Sequence, residues 1–99
     1  MELKNCQSLD EIREEIDKVD DKIVELLVER SKYVKQATKF KNSIEDVKSG
    51  DRVKKVMDRT RAQAIEKGIN PMMVEKVFET LINEMVSYEI EEFQNKGVF

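Results

Sequence analysis

The chain has 99 residues with 21 acidic and 18 basic side chains, a net charge of −3, no histidine and a single cysteine. That length holds one domain, an acidic balance argues against a general nucleic-acid surface, and a lone cysteine excludes an internal disulfide framework. Without histidine the commonest general base near neutral pH and the commonest metal ligand are both missing, so the metal expectation is none.

Charged and hydrophobic residues each make up 39%, with only three glycines and one proline, the profile of long solvated helices carrying apolar stripes. The chain is therefore read as all-α, with no competing strand pattern. Cys6 falls near the N-terminus with no histidine to activate it, so a thiol nucleophile is not expected. No apolar run is long enough for a membrane span and no targeting segment is visible; with the lone cysteine, this fits a cytoplasmic protein.

Ser8 followed by Glu11 matches a capping box. An apolar seam then runs through Leu9, Ile12, Ile16, Val19, Ile23, Leu26, Tyr33, Ala37, Phe40 and Ile44, predicting a first helix to about residue 42. Such a helix is roughly 50 Å long, whereas a compact chain of this size has a radius of gyration near ~13 Å. A second copy covering the apolar face resolves the conflict, so an obligate homodimer is expected. Residues 43–50 read as a loop. A second helix is expected over 51–67 with Val53, Val56, Met57, Thr60, Ala64 and Ile65 inward, stopped by Gly68. Asn70-Pro71 opens a third, to about residue 95, with Val74, Val77, Phe78, Leu81, Ile82, Met85, Val86, Ile90 and Phe93 inward.

Arg30 occupies the seam slot between Leu26 and Tyr33. A guanidinium is costly to bury without a partner. Either it fixes register in a coiled coil, pairs with an internal carboxylate, or awaits an external anion. Lys41 lies eleven residues on, which in a continuous helix places it on the same stripe, with Val34 and Ala37 between. Lys35 and Lys39 lie off the stripe and read as solvated. Glu89 continues the apolar row of Phe78, Ile82 and Met85, where ionisation is disfavoured unless cations oppose it; an internal ion pair with Arg30 or Lys41 is the alternative. Arg13, seventeen residues before Arg30, cannot reach the same site from the same helix but can from an antiparallel partner. Arg52 opens the second helix within reach of the same cavity, while Arg59 and Arg61 read as solvated. Several guanidinium and ammonium groups with no nucleophile suit a substrate carrying more than one carboxylate, to be held, oriented and polarised.

These residues resemble the all-helical chorismate mutase family, including the isochorismate pyruvate lyases. The resemblance covers about residues 8–95 and is strongest over 9–17 (LDEIREEID), 20–30 (DDKIVELLVER), 33–41 (YVKQATKFK) and Asp51-Arg52-Val53. It implies three helices per subunit in an intertwined homodimer with a single domain per chain. It further implies that Arg30 and the second subunit's Arg13 bind the two substrate carboxylates, and that Lys41 touches the ether oxygen. Arg52 adds positive charge; Val34, Val53 and Met85 are the apolar substrate contacts. Glu89 falls where many members carry a glutamine that donates to the ether oxygen. The implied reaction is the rearrangement of chorismate to prephenate, a step of aromatic amino acid biosynthesis; being pericyclic, it needs no cofactor. Two departures stand out. Glu89 donates only when protonated. Val53 stands where many mutases carry glutamate and the lyase relatives carry valine. A lyase releasing salicylate and pyruvate, and a non-catalytic helical dimer, are the alternatives.

Overall fold

A computed structural model describes residues 3–96. The described chain is all-helical, with α1 over Leu9–Thr38, a five-residue α2 over Ile44–Lys48, α3 over Gly50–Lys67 and α4 over Pro71–Lys96. Among these residues no helix is long and apolar enough to cross a membrane.

The helix ends follow their sequence signals. The Ser8 hydroxyl accepts from the Glu11 N–H at 3.1 Å, and the Glu11 carboxylate accepts from the Gln7 N–H at 2.8 Å. The reciprocal bond of the capping box thus reaches one residue before the cap. At the end of α3, Gly68 has φ 77°, a left-handed conformation that costs glycine little, and Ile69 N–H returns to the Ala64 carbonyl at 3.0 Å. The Asn70 side-chain oxygen accepts from Met72 N–H at 2.9 Å, leaving Pro71 where no donor is needed.

Residues 39–50 differ from expectation. The first helix stops at Thr38, not near residue 42, and Lys41 therefore lies beyond it. Lys39, Phe40 and Lys41 N–H groups turn to the carbonyls three residues back, at 3.2, 3.0 and 3.2 Å, which tightens the chain out of the α-helix. The expected loop 43–50 contains α2. Ser43 caps it by accepting from Asp46 N–H at 3.0 Å, while Asp46 accepts from Asn42 N–H at 3.0 Å. These local bonds satisfy the backbone groups that a longer α1 would have used. Ser49, at φ 42°, ends α2 and precedes α3; its N–H donates to the Glu45 carbonyl at 2.9 Å and its carbonyl accepts from Val53 N–H at 3.0 Å. A non-glycine residue held left-handed here costs about 1 kcal/mol, which those two bonds offset.

The chain divides into two compact units, the first ending at Tyr33 and the second beginning at Val34. The first is the greater part of α1. Its apolar face is open: Leu9, Ile12, Ile16, Val19, Ile23, Leu26 and Tyr33 are all exposed. In the second unit α3 and α2 pack on α4. The buried residues of α3 are Val56, Thr60 and Ala64, one per turn, and the centre of α4 is Ile82. Val47 anchors α2 at 2% exposure.

Two inward assignments are corrected. Ile65 and Val77 are 62% and 56% exposed. Ile65 sits roughly 140° and Val77 roughly 120° from the centre of the buried arc of its helix, too far around to face the core at ~100° per residue. On the outer faces, Lys54 and Asp58 pair at 2.9 Å across one turn, a bond that raises the Lys54 ammonium above its usual range, and Arg61 lies 3.7 Å from Glu75.

Candidate active site

Glu89 is the anomaly of the second unit. It sits on the apolar stripe of α4, one turn beyond half-buried Met85 and two turns beyond Ile82, and is itself 7% exposed. Its Oε2 accepts a hydrogen bond of 3.1 Å from the Thr38 hydroxyl. Thr38 is 4% exposed, so the contact is buried at both ends and joins positions 51 apart in sequence.

Lys41 reaches the same neighbourhood through the main chain. Its N–H donates to the Thr38 carbonyl at 3.2 Å, and its ammonium donates to the Asp46 carbonyl at 3.0 Å. Thr38 thus holds Glu89 with its side chain and Lys41 with its backbone. An ammonium has three donors, so Lys41 keeps capacity for an external acceptor beyond the Asp46 bond. Lys41 also borders an open hollow of about 560 Å³ whose wall includes Glu45, Asp46 and Asp51. Three carboxylates make that hollow a poor seat for a doubly acidic molecule.

The remaining site residues fall on α1 and α3. Val34 is half-buried one turn before Thr38, and Thr38 back-bonds to its carbonyl at 3.1 Å. Val53 is half-buried in the first turn of α3, with Arg52 exposed beside it. Arg13 and Arg30 belong to the first unit; Arg13 is exposed and Arg30 half-buried on α1. The carboxyl of Glu89 is held by Thr38 and the ammonium of Lys41 by the Asp46 carbonyl, through separate anchors.

Sequence reasoning passed over Thr38 and Asp46. Thr38 had a signal: it is four residues after Val34 and eight after Arg30, on the stripe assigned to the site. Asp46 had one too, since Ser43 followed three residues later by Asp46 is a helix-start pattern inside the presumed loop.

Against known proteins, the profile of chorismate mutase type II matches residues 12–90. The chain is 33% identical over 87 residues to an isochorismate pyruvate lyase of Pseudomonas aeruginosa, covering 88% of this chain and 86% of that one. It is 32% identical over 95 residues to a chorismate mutase of Methanocaldococcus jannaschii, covering 92% of this chain and 96% of that one. With the profile running from the second seam residue of α1 to the residue after Glu89, the chain belongs to the type II chorismate mutase family.

Proposed function

We propose that the protein is a chorismate mutase, converting chorismate to prephenate in a single helical domain that works as a homodimer. The observation that supports this reading is the match to chorismate mutase type II over residues 12–90, a span that contains Arg13, Arg30, Lys41 and Arg52. Arg30 and the other subunit's Arg13 grip the two carboxylates, which selects the compact conformer in which the reacting ends meet. Lys41 stabilises the negative charge that grows on the ether oxygen as the C–O bond breaks. Glu89, when protonated, donates a second hydrogen bond to that oxygen. The rearrangement forms one C–C bond as it breaks one C–O bond, so no nucleophile is required.

Val53 favours a second reading, an isochorismate pyruvate lyase acting through the same cations. Valine cannot accept a hydrogen bond from a substrate hydroxyl, which weakens selection for chorismate. Turnover of both substrates by the purified protein separates the two. The mutase reading expects the larger kcat/KM on chorismate; a larger value on isochorismate replaces it with the lyase.

The dimer rests on the open face of α1, where seven seam residues from Leu9 to Tyr33 are exposed. Arg13→Ala and Arg30→Ala proteins are each expected to be nearly inactive. Mixed under conditions that allow subunit exchange, half of the dimers become hybrids with one intact site, restoring about a quarter of wild-type turnover. No restoration despite exchange shown by mass spectrometry contradicts a shared site.

Glu89 also sets an expectation for pH. Only the neutral acid donates, so turnover is expected to fall as pH rises, and Glu89→Gln, a donor at every pH, flattens that fall. Identical flat profiles for both proteins remove Glu89 as the proton-bearing donor.

A further inference from the structure

The Thr38 hydroxyl has one proton and two acceptor oxygens at equal distance: the Val34 carbonyl and Glu89 Oε2, each at 3.1 Å. Where that proton goes determines which oxygen of Glu89 can act. If the acid proton sits on Oε2, it points at Thr38, whose own proton passes to the Val34 carbonyl. The donor is then consumed inside the protein. If the Thr38 proton goes to Oε2, the acid proton sits on Oε1 and remains available. We propose that Thr38 is a positioning residue of the active site, occupying Oε2 so that Oε1 carries the proton donated to the substrate, while its main-chain carbonyl holds the backbone of Lys41.

The inference rests on the assignment of Glu89 as donor to the ether oxygen and adds the residue that orients it. Three observations support it. Both side chains are buried, so solvent does not compete for Oε2. Thr38 is β-branched at the last turn of α1, which restricts its rotamer, and its hydroxyl oxygen lies 3.1 Å from Glu89 Oε2. The main-chain carbonyl of the same residue accepts from Lys41 N–H, so the turn that carries Lys41 starts from the residue that holds Glu89.

Thr38→Val removes the hydroxyl while keeping shape and the main-chain bond to Lys41; Thr38→Ser keeps the hydroxyl. Each is made alone and in a Glu89→Leu background. kcat and KM are measured on chorismate and isochorismate, with denaturant unfolding of every variant. The expected result is a roughly 10-fold lower kcat for Thr38→Val with KM within about 2-fold, and near-wild-type kcat for Thr38→Ser. In the Glu89→Leu background, Thr38→Val lowers kcat no further, and the unfolding free energies of the pair are non-additive. Additive unfolding energies overturn the contact itself. Non-additive unfolding with unchanged kcat overturns the positioning role and leaves a structural bond. Non-additive unfolding in a protein whose wild type turns over neither substrate overturns the enzymatic reading, and the role of Thr38 in donation falls with it.

Discussion

Alanine in place of Arg30 is expected to lower kcat/KM by roughly 10³-fold, equivalent to about 4 kcal/mol of transition-state stabilisation. The magnitude follows from the ligand. A guanidinium gripping a carboxylate makes two parallel charge-assisted bonds, and removing it leaves a desolvated anion without its partner. Arg30→Lys keeps the charge and loses the fork, so it should recover only part of the loss. Steady-state kinetics on both substrates, with circular dichroism melts to confirm folding, provide the check. A folded Arg30→Ala protein within about 10-fold of wild type would remove Arg30 from carboxylate binding. It would also favour the non-catalytic dimer, in which this half-buried cation on α1 serves only architecture.

Lys41→Ala should reduce kcat by about 10²- to 10³-fold, the usual effect of deleting one preorganised donor to a developing oxyanion. KM should change less, because the ammonium acts mainly on charge that appears in the transition state. Stability should change by no more than about 1.5 kcal/mol, since the fixed bond lost is the one to the Asp46 carbonyl. Parallel kinetics and denaturant unfolding distinguish these effects. A large fall in stability with an unchanged kcat of the folded protein would make Lys41 a clamp for α2 and not a catalytic group.

The two groups assigned to the ether oxygen differ in how far the sequence reveals them. Glu89 is legible because it interrupts an apolar row at helical spacing, and burial on α4 is where such a row must go. Lys41 is legible as a residue but not as a position. Extending the period of α1 through it places it on the Arg30 stripe, whereas the chain leaves the helix at Thr38. Capping bonds among Asn42, Ser43 and Asp46 compete with helix continuation, and periodicity alone does not register that competition. Ile65 and Val77 illustrate the same limit at the edge of a stripe, where an apolar residue is compatible with either side of the boundary.

By itself the sequence determines the long helices, their caps at Ser8, Gly68 and Asn70, the open seam of α1 and the family. These are legible because helix signals act over a few residues and the family pattern is a set of spacings. Only the tertiary structure decides that Thr38 meets Glu89 across 51 positions and that the Asp46 carbonyl takes the Lys41 ammonium. The first pairing depends on the packing of α1's last turn and α4, which no local period encodes. The second depends on where a short helix begins, which is settled by hydrogen bonds made only after the chain has turned.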